Sequence, residues 1–248
     1  MTICAAALAA KSKAIVCVAD KAITYGDIIS WESDVTKIVR LAHPGCLVMM
    51  SGSEEVTSRV ISALAAEPTL GATVAEIKEK CEDVYKECIQ ELVDQKFIFP
   101  RMLTREAFAR AIEKEQVNSV IQNINAEIAL YLAKDVDCDL ILCGFDSQKS
   151  PFIIHVCCPD GTVTDMTSTG FSAIGSGFQY AQSRLLFLSH ERTDDLDKAL
   201  YDIFDAKASS EMVPTVGTDW DSAVVYLCGD EVRIKFTEDE IDELIEQV

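Results

Sequence analysis

Short apolar runs separated by polar turns fill the first fifty residues of the chain. Residues 3–8 and 14–19 are continuous apolar runs, and the polar residues 11–13 between them are typical of a hairpin turn. Residues 35–41 alternate and are rich in β-branched side chains, which predicts another strand, and residues 46–50 form a further apolar run. Strands this closely spaced are expected to pair antiparallel through short turns.

The hydrophobic period then changes to that of an α-helix. Ser53 can cap a first helix, and two glutamates follow it in a position that complements the helix dipole. Thr73 begins a second helix with its apolar side chains on one face. Pro100 interrupts the pattern, and residues from 104 to about 133 predict further helix.

The second half of the chain returns to strands and then adds a pair of helices. Strands are predicted at 139–144, 152–157, 162–166 and 171–174, helices at 179–189 and 194–208, and a closing hairpin at 221–227 and 232–236. Blocks of strands that alternate with paired helices do not fit βαβ winding. This order predicts an α+β fold of four layers, an αββα sandwich in which two stacked antiparallel sheets are flanked by helix pairs.

Composition and charge narrow the class of protein. The chain has the composition of one globular domain spanning residues 1–248, and it shows no linker or tandem repeat. Acidic residues outnumber basic ones 41 to 22, and the net charge of −19 disfavours binding to nucleic acid or anionic membranes. Without a basic leader or a stretch that could cross a bilayer, the protein is expected to be cytoplasmic. The acidic run at 238–243 is interpreted as the solvated face of a helix.

Ten cysteines raise the question of a disulfide or a metal site. Most of them lie inside apolar runs, where a thiol behaves as a small hydrophobic side chain. The chain has no CxxC pair, and its histidines, His43, His155 and His190, are far apart in sequence. We therefore expect reduced, buried cysteines, and neither a metal site nor a cofactor is predicted.

The sequence begins Met1-Thr2, and removal of Met1 would leave a threonine with a free α-amine. Such a residue carries both a nucleophile and its base, because the α-amine titrates near roughly pH 8 and can accept the hydroxyl proton. Many chains begin with these two residues, so the position alone has little meaning.

Asp20 and Lys37 can complete such a site. Asp20 follows the apolar run at 14–19, where an acidic residue is either an ordinary turn residue or a carboxylate that orients a nearby cation. Lys37 lies within the predicted strand 35–41 and either faces water or points inward beside Asp20. An inward ammonium would lower the pKa of the Thr2 amine and hydroxyl, and Asp20 would keep that ammonium charged and in place.

Two glycine-containing junctions between a strand and a helix are further candidates. Gly52 permits a tight turn, and its N–H can also stabilise a carbonyl oxygen as that oxygen becomes an oxyanion. Gly175-Ser176-Gly177 forms a second junction. Neither a GxGxxG fingerprint nor a Walker motif follows, so a nucleotide site is not expected.

In their order and spacing these motifs resemble those of the β-type proteasome subunits, and of the bacterial HslV and Anbu homologues in particular. The matching segments are Thr2, Val-Ala-Asp20, Thr-Lys37-Ile-Val-Arg-Leu, Ser-Gly52-Ser, Leu-Ile-Leu-Cys-Gly144-Phe-Asp146, Pro159-Asp-Gly161 and Ala-Ile-Gly-Ser176-Gly. The similarity covers essentially the whole chain, with an enlarged helical segment near 95–125.

The resemblance implies an N-terminal nucleophile hydrolase, specifically a threonine-type endopeptidase in a self-compartmentalising ring. Thr2 would attack a peptide carbonyl, Lys37 and Asp20 would tune it, Gly52 would hold the oxyanion, and Ser176 would support the amine and the water. The implied substrate is a peptide or an unfolded protein. The ring would be a homo-oligomer, and an ATP-dependent unfoldase is an optional partner.

The chain departs from the family pattern after its last helix pair. Active β subunits commonly carry an Asp and a Ser in this loop, whereas residues 213–220 offer Thr215, Thr218 or Asp219 as substitutes. Two other functions stay open at this point. One is a non-catalytic ring subunit that retains Met1, and the other is an N-terminal nucleophile amidase that acts on a small amide.

Overall fold

The computed structural model describes residues 2–25, 29–32, 36–42, 45–67, 73–113, 119–157 and 160–236. Its strands are β1 (Cys4–Ala9), β2 (Ala14–Asp20), β3 (Ala22–Tyr25), β4 (Ile29–Glu32), β5 (Ile38–Arg40), β6 (Cys46–Gly52), β7 (Cys138–Phe145), β8 (Pro151–Cys157), β9 (Thr162–Asp165), β10 (Phe171–Ile174), β11 (Trp220–Cys228) and β12 (Glu231–Phe236). Its helices are α1 (Glu54–Ala66), α2 (Val74–Val93), α3 (Arg105–Glu113), α4 (Ser119–Lys134), α5 (Phe178–Phe187) and α6 (Leu196–Ser210). Met1 and the predicted helix at 238–243 lie outside the described residues.

Two five-stranded sheets form the centre of the fold. The first has the order β10-β1-β2-β11-β12 and the second the order β5-β6-β7-β8-β9, and all neighbouring strands in both are antiparallel. The predicted pairing of consecutive strands through short turns is therefore confirmed. The short hairpin of β3 and β4 forms a sheet of its own, which the hydrophobic pattern did not predict.

Three groups of buried side chains separate the layers. One lies between the two sheets and includes Leu8, Met49 and Ile153. A second lies between the first sheet and the pair α5–α6, and a third between the second sheet and the pair α1–α2. This arrangement is the predicted four-layer αββα sandwich. None of the helices in the described ranges is long and apolar enough to cross a bilayer.

The helix starts follow the predicted caps in part. Thr73 accepts a hydrogen bond from the N–H of Glu76, whose carboxylate in turn accepts from the N–H of Thr73, so a complete capping box begins α2. Ser53 occupies the capping position of α1, but its side chain accepts no hydrogen bond from the N–H groups of the first helical turn. Around Pro100 a π-helical turn at Asp94–Ile98 and a 3₁₀ turn at Phe99–Arg101 replace the α-helix.

The strand predicted at 35–41 is shorter than the sequence pattern indicated. β5 contains only Ile38–Arg40, so Lys37 precedes the strand and does not lie within it, and residue 35 is outside the described residues. The hydroxyl of Thr36 lies 3.2 Å from both the N–H and the carbonyl oxygen of Ile38. Such a local side-chain bond competes with strand pairing and accounts for the late start of β5.

Strand β1 is unusual in its small side chains. All six of its residues are fully buried, because the strand has a neighbouring strand on each side and its two faces are covered by the helix layer and by the second sheet. Ala5, Ala7 and Ala9 belong to the apolar layer beneath α5 and α6, while Leu8 points between the sheets. The alanines leave space for the helix layer to approach the sheet closely, and a larger side chain has no room there.

We predict that Ala7→Leu destabilises the protein by about 1–3 kcal/mol, because overpacking forces side chains or backbone to move. Ala126→Leu, on the exposed face of α4, serves as the control and is expected to change the stability by less than about 0.5 kcal/mol. Urea unfolding followed by circular dichroism measures both values. Equal effects of the two substitutions would contradict close packing of the helix layer on β1.

Candidate active site

The pairing of β1 with β2 places Asp20 beside Thr2. Cys4 pairs with Ala19, so the end of β2 lies next to the start of β1. Asp20 donates its N–H to the carbonyl oxygen of Ile3 at 3.0 Å, and its Oδ1 accepts the N–H of Ile3 at 3.0 Å. The Thr2 hydroxyl donates to the same Oδ1. Asp20 is 1 % exposed and Thr2 3 % exposed, so both polar groups depend on each other for hydrogen bonds.

Lys37 reaches this pair from the segment that leads into β5 of the second sheet. Its Nζ lies 2.7 Å from Asp20 Oδ1 and 2.5 Å from the carbonyl oxygen of Ala22, and it also donates to Thr2 Oγ1. An ammonium has three donors, and these contacts use all three. The side chain is mostly buried and points inward, as one of the two sequence interpretations proposed.

Ser176 approaches Thr2 from the opposite side of β1. Because Cys4 pairs with Ile174 of β10, the residues that follow β10 run past Thr2. Ser176 Oγ lies 3.4 Å from the carbonyl oxygen of Thr2. Gly175, with φ of 90°, is needed at this crossing, since a Cβ there would come within 2.2 Å of the Thr2 carbonyl oxygen.

The loop at 213–220 contributes two contacts to the site, of which the sequence anticipated only the one from Thr215. Thr215 Oγ1 lies 3.2 Å from Ser176 Oγ, and the N–H of Gly217 donates to Asp20 Oδ2 at 2.8 Å. Thr215 is one of the three substitutes named from the sequence. Any residue type can donate a backbone N–H, so the role of Gly217 cannot be recognised from the sequence. It becomes visible only in the structure, where Trp220 of β11 pairs with Asp20 of β2 and brings the preceding loop to the carboxylate.

A buried lysine holds the same loop in place. Lys207 of α6 is 2 % exposed and donates to the carbonyl oxygen of Thr218 at 2.6 Å and to Glu211 at 2.5 Å. The ammonium is thereby paired with a carboxylate and bonded to the loop backbone, as a buried charge requires. The anchored loop can present Thr215 and Gly217 at fixed positions.

Gly52 ends β6, and its oxyanion role stays a prediction. It pairs with Cys138 of β7, and a Cβ at Gly52 would come within 2.2 Å of the carbonyl oxygen of Asp137. The Sγ of Cys4 lies 3.2 Å from the carbonyl oxygen of Met50, so the last residues of β6 lie near the end of β1 that follows Thr2. Gly52 is therefore on the correct end of the sandwich for the predicted role.

Cys4 is a second potential nucleophile near Thr2, and its chemistry argues against that use. Burial raises the pKa of the Cys4 thiol to about 12, with only partial compensation from the nearby Lys37 ammonium. At neutral pH the thiol is therefore protonated and a poor nucleophile. The hydroxyl of Thr2, in contact with a carboxylate and an ammonium, is the better placed nucleophile of the two.

We predict that Asp20→Ala destabilises the protein by about 3–5 kcal/mol, because it leaves the Lys37 ammonium and two buried N–H groups without their acceptor. Asp205→Ala breaks the more exposed pair with Arg184 and is the control, with an expected loss of about 1 kcal/mol or less. Chemical denaturation of both variants measures the difference. If Asp20→Ala cost no more than its control, the carboxylate would not hold this site together.

No family model and no curated protein matches the chain, whereas solved structures match over nearly its full length. Anbu from Yersinia bercovieri superposes with a TM-score of 0.64 at 15% identity, covering 98% of this chain and 91% of that one. Anbu from Pseudomonas aeruginosa, solved as a helical assembly, gives 0.62 at 16% identity, with coverages of 99% and 92%. HslV from Trypanosoma brucei gives 0.53 at 15% identity, covering 92% of this chain and all of that one. The chain thus has the proteasome-like N-terminal nucleophile hydrolase fold of Anbu and HslV.

Proposed function

We propose that this protein is an N-terminal threonine peptidase, with Thr2 as its nucleophile once Met1 is removed. The observation that carries the proposal is the contact of Lys37 and Asp20 with the hydroxyl of Thr2. If these two residues only filled space, apolar side chains would do so at a lower desolvation cost. A buried carboxylate and an ammonium that both contact one threonine hydroxyl therefore point to a chemical role. Their presence in the fold of Anbu and HslV supports a hydrolytic role.

In the proposed reaction Thr2 Oγ1 forms a bond to the carbonyl carbon of a peptide, and the Thr2 α-amine takes the hydroxyl proton. The carbonyl oxygen becomes an oxyanion, which the N–H of Gly52 stabilises. As the C–N bond breaks, the leaving amine receives that proton. Water, deprotonated by the same amine, then attacks the ester, releases the acyl product as an acid and restores Thr2.

Lys37 is proposed to act as a fixed positive charge in this reaction. Its Nζ donates to Asp20, Ala22 and Thr2, which are the three hydrogen bonds of an ammonium, and an ammonium has no lone pair with which to take a proton. Its charge stabilises the negative charge that develops on Oγ1 during attack and lowers the pKa of the neighbouring amine. Asp20 keeps the ammonium in place, and Ser176 with Thr215 supports the amine and the attacking water.

We further propose a homo-oligomer that encloses its active sites and acts on peptides or unfolded proteins, with an ATP-dependent unfoldase as an optional partner. Several large apolar side chains are exposed on and next to α5 and α6, namely Phe178, Tyr180, Leu186, Phe187, Tyr201 and Met212, and others are exposed between residues 99 and 130. Exposed apolar side chains on a helix layer are typical of a surface that another subunit covers. A ring of such subunits would account for this layer.

We predict that Thr2→Ala abolishes hydrolysis of fluorogenic peptides, because it removes the nucleophile but keeps the backbone. Thr2→Ser is the matched variant and is expected to retain measurable activity, because it preserves both the hydroxyl and the amine. Intact mass spectrometry of the wild-type protein should show loss of Met1, and a peptide boronate should label Thr2. Size-exclusion chromatography checks that both variants assemble like the wild type.

Three results would contradict the proposed peptidase. Quantitative retention of Met1 would leave no basic α-amine on Thr2 and would identify a non-catalytic subunit. Hydrolysis of small amides but of no peptide would identify the N-terminal nucleophile amidase instead. Activity that survives Thr2→Ala would require a different nucleophile altogether.

Thr215→Val tests whether the loop at 213–220 replaces the side chains that active β subunits commonly carry there. The substitution keeps the shape of Thr215 and removes its hydroxyl, so we predict a fall of about tenfold in kcat with little change in KM. Thr193→Val, on an exposed turn before α6, is the control and should leave kcat unchanged. An unchanged kcat in Thr215→Val would show that Ser176 acts without this partner.

A further inference from the structure

A second cluster of reactive side chains lies on the second sheet. His155 and Cys157 are two residues apart in β8, so their side chains project from the same face of the strand. On the neighbouring strand β7, Ile141 pairs with His155, and Asp139 therefore lies opposite Cys157. One ligand atom from each of Asp139, His155 and Cys157 lies within 4.8 Å of the others.

The distances within this cluster differ from those of a simple hydrogen-bonded group. Cys157 Sγ lies 3.4 Å from Nε2 and 3.7 Å from Nδ1 of His155, so its distances to the two ring nitrogens are similar. His155 Nε2 lies 3.9 Å from Asp139 Oδ1, beyond the length of a hydrogen bond. Nε2 is therefore the nitrogen nearer to both the sulfur and the carboxylate.

These separations are close to those of atoms that share a metal ion. Bonds of about 2.3 Å to sulfur and about 2.0–2.1 Å to nitrogen place the two ligand atoms roughly 3.5 Å apart in tetrahedral geometry. The nitrogen and a carboxylate oxygen would be roughly 3.4 Å apart. The observed separation of 3.9 Å between Nε2 and Asp139 Oδ1 is about half an ångström longer than this, and the Asp139 side chain, which is 32% exposed, would have to move closer.

We propose that Asp139, His155 and Cys157 form a binding site for a divalent zinc-class metal ion. A thiolate, an imidazole and a carboxylate are ligands that Zn²⁺ accepts, whereas Mg²⁺ and Ca²⁺ require a shell of oxygen atoms. Three protein ligands leave one position of a tetrahedron for water. The side chains are only partly buried, so an ion can reach them from solvent.

The other cluster of potential ligands in the described residues already has a cation. His190, Asp194 and Asp202 converge beside α6, but Lys198 Nζ lies 2.6 Å from Asp194 and 2.8 Å from Asp202. His190 in addition places Nε2 3.0 Å from the carbonyl oxygen of Leu8 and Nδ1 3.0 Å from Asp202. Lys198 and the backbone thus already occupy the polar atoms of this second cluster, which is why we do not propose it as a metal site.

The proposed metal site lies at the same end of the second sheet as the candidate active site. Ser51 of β6 pairs with Asp139 and Gly52 pairs with Cys138, so Asp139 lies on the strand next to the predicted oxyanion donor, one residue along from its partner. A bound ion would join β7 to β8 at this end of the sheet. The proposal does not rest on the proposed hydrolysis, because none of the three ligands is among the residues to which a role in that reaction is assigned.

The test is metal binding to the full-length, chelator-treated protein at neutral pH. We expect uptake of one Zn²⁺ per chain in competition with a chromophoric chelator, and no competition from excess Mg²⁺ or Ca²⁺. With Co²⁺ in place of Zn²⁺, a thiolate-to-metal absorption band in the near ultraviolet should report the Cys157 ligand. Asp139→Asn, His155→Gln and Cys157→Ser should each weaken binding by at least about tenfold.

Cys228→Ser is the matched control, since Cys228 is the other described cysteine that is not fully buried. It should leave both the affinity and the absorption band unchanged. Circular dichroism of each metal-free variant verifies its fold, and Asp139→Asn is the mildest change should Cys157→Ser not fold. Failure to take up Zn²⁺, or an absorption band that persists in Cys157→Ser, would overturn the proposal.

Discussion

The candidate site depends on the hydrogen bonds that the carboxylate of Asp20 accepts. It accepts the N–H groups of Ile3 and Gly217, the Lys37 ammonium and the Thr2 hydroxyl, and it is fully buried while doing so. A buried carboxylate is tolerated only with such a complete set of donors. The four donors come from three separate parts of the chain, so one side chain fixes the mutual positions of the start of β1, the segment before β5 and the loop before β11.

Much of the fold follows from the hydrophobic pattern, because most strands and helices bury one consistent face. The runs at 14–19 and 152–157 are apolar or alternating over their whole length and became β2 and β8. The prediction was wrong where local hydrogen bonds compete with the pattern. Thr36 bonds to the backbone of Ile38, and Lys37 consequently lies before β5.

The site was predictable only as far as it depends on residue type. Thr2, Asp20, Lys37 and Ser176 are recognisable by chemistry and spacing, and the structure brings all four together. Gly217 acts through its backbone, which no sequence motif records. The group of Asp139, His155 and Cys157 went unnoticed for another reason, since its members become neighbours only through the register of β7 with β8.

The origin of Lys37 has a consequence for how the molecule can be controlled. Thr2 and Asp20 belong to the first sheet, whereas Lys37 enters from the edge of the second, so the charge on the hydroxyl bridges the two halves of the sandwich. A displacement of one sheet against the other would therefore lengthen the contact between the ammonium and the Thr2 oxygen, while the contacts of Thr2 with Asp20, which lie within the first sheet, would be kept. The geometry of the candidate site is thus tied to the packing between the two sheets and not to either sheet alone.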